Sequence, residues 1–236
     1  MWLLQNIYNK CMNVVGYDFL LDGKSSSSTG ISVNLGDNSK EDRMLINYLY
    51  NHTFNIDKSL IKQNVPYFLT LSECTLTDSA IIKKISIISE SLNIVIQINH
   101  KVVLSYNLIT KLRFLQSFGI ELCISDYLGC EEDSRNHEDI IGNANYVKYR
   151  IKCDGSMKLT EELIAFQQCG IKIILNDMTR LGENNHDTSF GYWAIQGDDL
   201  SKPFKLCEKQ QQSILLLPES YQKQDFGNLY EWLERR

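Results

Sequence analysis

From residue 78 onward the apolar positions alternate between two spacings. "TDSAIIKKISIISESLN" opens on a Thr-Asp pair suited to capping and repeats Ile81, Ile85 and Ile88 at helical spacing, which predicts a helix. "IVIQI" at 94–98 is a short β-branched run and reads as a strand. "SYNLITKLRFLQSFG" is again a capped helix, with Leu108, Leu112 and Leu115 on one face and Gly119 at its end. The strand "IELCIS" follows, then a strand over 144–151 ("ANYVKYRI"), a helix in "KLTEELIAFQQCG" stopped by Gly170, and a strand "IKIIL" at 171–175. Strands alternating with helices of this length indicate βαβ units around a parallel sheet. Their near-continuous apolar runs fit a sheet buried on both faces. The first part reads differently: residues 3–8 and 13–21 are two strands joined by a short turn, followed by a Ser-rich loop at 24–30. At the other end, "QDFGNLYEWLERR" puts Phe226, Leu229, Tyr230 and Leu233 on one helical face, expected to pack on the body of the protein. No break in composition divides the chain, so a single domain over 1–236 is expected.

Composition narrows the class. An apolar fraction of 43% supports a sizeable core, and no apolar run approaches the ~18 residues of a membrane span. The start "MWLLQNIYNK" has no basic lead before a long apolar stretch, so the chain is expected in the cytoplasm. Seven cysteines without a C-x-x-C pair read as thiols in a reducing compartment, neither zinc site nor disulfide framework. A net charge of −5, with Lys and Arg spread along the chain, argues against direct nucleic-acid binding.

The recognisable motifs are fragments. Gly23-Lys24-Ser25 ends like a phosphate-binding P-loop, but the glycine needed five residues earlier is Asp18, and Tyr17, Phe19, Leu20 and Leu21 suit a buried strand. Four histidines (52, 100, 137, 186) show no ligand spacing, and Ser125-Asp126 has no histidine placed to complete a hydrolase motif.

Several stretches, in order and in register, resemble the EAL family of bacterial cyclic-di-GMP phosphodiesterases. "QNI" (5–7) resembles its Gln-Pro-Ile, and "VVGYDFLLD" (14–22) stands where the family has a glycine, the signature Glu-Ala-Leu and an arginine. "LTLS" (69–72) is similar to its Asn-x-Ser strand, "IVIQINH" (94–100) to Glu-x-Thr-Glu, and "GIELCISDYLG" (119–129) to the strand ending in Asp-Asp-Phe-Gly. "YVKYR" (146–150) resembles Lys-x-Asp, "IILNDMTR" (173–180) stands at Ala-Glu-Gly-Val-Glu-Thr, and "AIQGDDLSKP" (194–203) is close to the Gln-Gly…Ser-x-Pro ending. The resemblance covers about residues 4–204 and implies an α/β fold, a TIM-like (β/α)8 barrel with one antiparallel strand.

The same resemblance implies that the chemistry has been lost. The signature Glu is Asp18, the Asn ligand is Thr70, the Glu of the fourth strand is Gln97, and the first Asp of the pair is Ser125. Asp126 is kept, the Asp of Lys-x-Asp is Arg150, the general-base Glu is Asn176 and the second Glu is Thr179. Lys148 and Gln196 persist, while the phosphate-holding arginine is Asp22. Two carboxylates cannot neutralise a pair of divalent cations, so no metal, cofactor or catalysis is expected. Glu131, Glu132 and Asp133 at the presumed barrel mouth would repel phosphates, which weighs against cyclic-di-GMP as a ligand.

Short, eroded EAL-like chains include the anti-FlhDC factors of enteric bacteria. Resemblance to these implies a regulator, expected to be monomeric alone, that binds the FlhD subunit of the flagellar master activator and represses flagellar genes and motility. Two other readings stay open on the residues: a non-hydrolysing cyclic-di-GMP receptor, and an enzyme of another kind reusing the mouth around Asp18, Asp126 and Lys148.

Overall fold

A computed structural model describes residues 2–21, 39–53, 65–102, 104–127, 142–150, 161–176, 191–198 and 200–205. Eight strands close into a barrel: β1 (Trp2–Tyr8), β2 (Val14–Leu21), β3 (Tyr67–Thr70), β4 (Ile94–Asn99), β5 (Glu121–Tyr127), β6 (Tyr146–Arg150), β7 (Lys172–Asn176) and β8 (Ala194–Ile195). Each of β2 to β7 runs parallel to the next. β1 is the exception, antiparallel to both β2 and β8, and it also pairs with a short β9 (Phe204–Lys205). This is the (β/α)8 barrel with one antiparallel strand that the sequence led us to expect.

The helices lie outside. α1 (Ser39–Thr53), α2 (Glu73–Thr77), α3 (Ser79–Ser89) and α4 (Tyr106–Gln116) pack one side, and α5 (Glu161–Gln168) another. Their starts are chemically marked: Asp78 accepts from Ala80 N–H at α3, and Ser105 from Leu108 N–H at α4. Gly119 and Gly170 follow α4 and α5 with φ of +80° and +78°, the left-handed turn that lets the chain re-enter the sheet. Neither α1 nor the single-turn α2 was anticipated. α1 carries Leu45, Ile46 and Leu49 into the core, and its Asp42 accepts from Ser72 N–H, Ser72 Oγ and Thr75 Oγ1, which ties the β3–α2 junction to α1.

Strand periodicity sorts the core into shells. Outward residues such as Phe19, Leu69, Ile96 and Leu122 meet the α1, α3 and α4 side, and Val147, Ile173 and Leu175 meet α5. Inward residues Ile7, Phe68, Val95, Cys123, Tyr146, Ile174 and Ala194 form one apolar layer inside the barrel. The contribution of β2 to that layer is Gly16, paired with Ile7, where an added Cβ would lie 3.2 Å from Phe68. Gly16 makes room for the Phe68 ring. No helix among the described residues is long and apolar enough to cross a membrane.

Candidate functional site

One step above the apolar layer, toward the C-terminal ends of the parallel strands, every strand presents a polar residue. They are Gln5, Asp18, Thr70, Gln97, Ser125, Lys148, Asn176 and Gln196, one each from β1 to β8 in the first seven strands and immediately after β8 for the last. All but the exposed Thr70 are buried. Seven of these eight positions were singled out in the sequence, and the barrel brings them into one layer. Gln5 was missed as a site residue, although its strand register opposite Asp18 makes it part of the same network.

At the centre of the layer, Lys148 Nζ donates to Asp18 Oδ2 at 2.7 Å. The two residues stand on β6 and β2, four strands apart around an eight-stranded barrel, so the pair crosses the interior. Gln196 Nε2 donates to the same Asp18 Oδ2 at 2.9 Å and to Gln5 Oε1 at 2.7 Å. Gln5 Nε2 in turn donates to Asp198 Oδ1 and to the Ser201 carbonyl. The Lys148 ammonium also lies 4.9 Å from the centroid of the Phe68 ring beneath it, a cation–π contact. On the opposite flank Gln97 Nε2 donates to Thr70 Oγ1 at 2.6 Å, and Ser125 Oγ to the Ile98 carbonyl at 3.4 Å. Three buried acceptors remain without a donor among the described residues: Asp18 Oδ1, Gln97 Oε1 and Gln196 Oε1.

Asp126 reaches the mouth by a backbone irregularity. The β5–β6 register shifts between Ile124 and Tyr127, and Asp126 sits at φ +57°. Such a bulge turns a side chain off its regular alternation, and aspartate is among the few residues that tolerate this conformation. Asp126 Oδ1 meets Arg150 Nη2 at 2.8 Å, and Oδ2 accepts from Asn99 Nδ2 at 2.8 Å. Asn99 was also missed, although it stands two residues beyond Gln97 and therefore on the same face of β4.

The electrostatics are those of paired charges. Asp18 is paired with Lys148 and Asp126 with Arg150, while Asp198 accepts from the Gln5 amide. Below them, burial pushes the Cys123 thiol up to about 12, against the opposing influence of the Lys148 cation. Among the described residues no group of three or more His, Cys, Asp or Glu could hold a metal ion. His100 lies just past β4, donating its backbone N–H to the Ser125 carbonyl, with its ring edge-on to Tyr127. Asp22, Thr179, the acidic run 131–133, the Ser-rich loop, His137, His186 and the C-terminal apolar face lie outside the described residues.

No protein-family model matches the sequence, nor does any curated protein. Solved structures do match. The EAL enzyme Bd1971, in a form bound to cAMP and cyclic-di-GMP, aligns with a TM-score of 0.66 at 15% identity, over 92% of this chain and 65% of that longer one. The EAL domain of Mycobacterium smegmatis DcpA aligns at 0.63 and 12% identity, over 91% and 96% of the two chains. The Bacillus subtilis YkuI protein, which has an EAL domain and was solved with substrate c-di-GMP and calcium, aligns at 0.61 and 15% identity, over 99% of this chain and 63% of that one. At these identities the likeness speaks for the fold, and the barrel is of the EAL type.

Proposed function

We propose that this barrel is a non-catalytic regulator that acts by binding another protein, in the first place the FlhD subunit of the flagellar master activator. Holding that activator away from its promoters would repress flagellar genes and motility. The observation that carries the non-catalytic part is the Lys148–Asp18 pair across the barrel interior. Asp18, at the position of the signature glutamate, spends Oδ2 on an ammonium and an amide. Asp126 spends both oxygens on Arg150 and Asn99. A pair of divalent cations needs several anionic oxygens and no competing cation. Two of the described carboxylates, Asp18 and Asp126, each face a base, which supports the reading that no such pair is held; a third, Asp198, is bonded to Gln5. The partner rests on the likeness to anti-FlhDC factors in the pattern of replaced ligands; fold alone does not name a partner.

Titration calorimetry tests both halves. The purified chain is titrated with FlhD and, in parallel, with cyclic-di-GMP plus Mg²⁺. Heat with FlhD and none with the nucleotide is the expected result. Heat with the nucleotide alone would make the barrel a receptor for that ligand, and silence with FlhD would remove the named partner.

A further inference from the structure

β1 is held unequally by its two neighbours. On the β2 side the antiparallel register runs from Trp2 opposite Leu21 to Tyr8 opposite Val14, with one irregularity between Ile7 and Tyr8. On the other side, among the described residues, β8 meets it only at Tyr8, opposite Ile195. β9 meets it at Leu3 and Leu4, opposite Lys205 and Phe204. Between these points no strand register joins Gln5, Asn6 or Ile7 to the chain across from them, which runs there as the loop after β8. The β7–β8 joint is also short, but two further backbone bonds extend it, Trp193 N–H to the Ile173 carbonyl and Gln196 N–H to the Leu175 carbonyl. The ladder is thus thin at one joint, where the first strand of the barrel meets the last.

Side chains bridge that joint. Gln5 Nε2 donates across it to Asp198 Oδ1 at 2.9 Å and to the Ser201 carbonyl at 3.2 Å. Gln196 Nε2 donates back to Gln5 Oε1 at 2.7 Å and on to Asp18 Oδ2 at 2.9 Å. The direction of this relay is fixed by its far end. If the Gln5 amide turned over, its oxygen would face a carboxylate and a carbonyl, which are both acceptors. Its NH2 therefore points to the loop and its oxygen to Gln196, and the Gln196 NH2 must point to Gln5 and Asp18. The loop is bent so as to present its acceptors: Leu200 N–H and Ser201 N–H both donate to the Gly197 carbonyl at 3.1 Å. Gln5, Gln196 and Ser201 are buried, so water competes little for these bonds.

We infer that this relay is a latch: Gln5 is the positioning residue that holds the loop after β8 against β1, and the β1–β8 joint is where the barrel opens first. Local opening takes the part of a fold with the fewest bonds and least packing to undo. Parting β1 from the loop undoes the two bonds of Gln5 to it, the bond from Gln196, and a broken stretch of ladder. Parting β4 from β5 would undo a continuous register from Val95 opposite Glu121 to Asn99 opposite Ser125. Unlatching also draws the Gln196 amide off Asp18, so the joint and the Asp18–Lys148 pair loosen together. The latch operates whether or not the barrel binds FlhD.

Native-state hydrogen exchange of the full chain, read by mass spectrometry on peptides from each strand, tests the latch. In the wild type, amides of 200–205 are expected to exchange at least tenfold faster than those of 94–99, after correction for the intrinsic rate of each sequence. Two variants then identify the opening. Gln5→Met keeps the length of the side chain and removes the relay, so it should speed 200–205 at least tenfold; Asp198→Ala, which removes one acceptor, should speed them less. Asp42→Ala cuts a contact between α1 and the β3–α2 junction, which stays intact when the β1–β8 joint opens. It should therefore speed 94–99, which exchange only when the whole barrel unfolds, and leave 200–205 at the wild-type rate. Three results would overturn the inference. One is a wild type in which 200–205 exchange as slowly as 94–99, a comparison that needs no variant to fold. Another is Asp42→Ala speeding both segments by the same factor, since 200–205 would then open only by global unfolding. The third is exchange at 200–205 that neither Gln5→Met nor Asp198→Ala alters, since the relay would then hold nothing.

Discussion

Lys148→Met is the sharpest test of the cross-barrel pair. Methionine keeps the apolar stem of the side chain but removes the ammonium that faces Asp18 and lies over Phe68. The side chains of Lys148 and Asp18 are 2% and 5% exposed, so water cannot take over the role of the ammonium. Removing one partner of a buried pair costs about 3–5 kcal/mol. The Gln196 amide still donates to the carboxylate and offsets part of this, so a loss of about 3 kcal/mol is expected at pH 7. The double variant Asp18→Asn, Lys148→Met should recover most of it, because no charge then lies stranded in the interior. Urea midpoints of the four proteins, measured at pH 7 and pH 5, give the coupling energy directly. A loss under about 1 kcal/mol, the value of an exposed pair, would show that the charges do not meet in a dry interior. So would a double variant as unstable as the sum of the two single ones.

Other consequences are open to simpler measurements. Gly16→Ala places a Cβ 3.2 Å from Phe68 Cε2 and 3.4 Å from both Ile7 Cδ1 and the Pro66 carbonyl. Overpacking of about 1–3 kcal/mol should outweigh the gain from a stiffer unfolded chain and lower Tm by several degrees; an unchanged Tm would contradict the packing described. Asp42→Ala strips the acceptor from Ser72 N–H, Ser72 Oγ and Thr75 Oγ1. A loss of about 2–3 kcal/mol is expected, with faster amide exchange at residues 72–76 and partial rescue by Asn. Stability should decline as pH rises above about 9, because the unfolded chain releases the Cys123 proton near 9.0 while the fold holds it to about 12. Burial pushes the Tyr67 and Tyr146 hydroxyls up as well, with the same sign at higher pH. Urea midpoints from pH 8 to 10.5 measure this, and a flat profile that Cys123→Ala leaves unaltered would refute it.

The order of strands and helices after residue 78 was legible because the relevant periods are local. Ile81, Ile85 and Ile88 advertise a helix within eight residues, and Asp78 and Ser105 are caps by residue type and position. α1 was not read, though Leu45, Ile46 and Leu49 do fall on one helical face. Its first turn is polar, and much of its stabilisation comes through Asp42 from a junction about thirty residues away. The single turn of α2 has a local cap, Ser72 accepting from Thr75 N–H, but its tie to α1 through Asp42 is a contact that no window of its own sequence contains.

The inventory of the candidate site is local. An alternation of two residues along each strand brings Asp18, Gln97, Lys148 and Gln196 to inward positions, and their chemistry was plain from their letters. How those groups are used depends on the closed barrel. Lys148 neutralises Asp18 from 130 residues away, Gln5 bridges to Gln196, and a bulge carries Asp126 off its regular alternation to Arg150. Periodicity is a property of neighbouring peptide units, so it can be read along the chain. Which inward groups face one another depends on how many strands close the barrel and with what stagger, and that is settled only when the first strand meets the last.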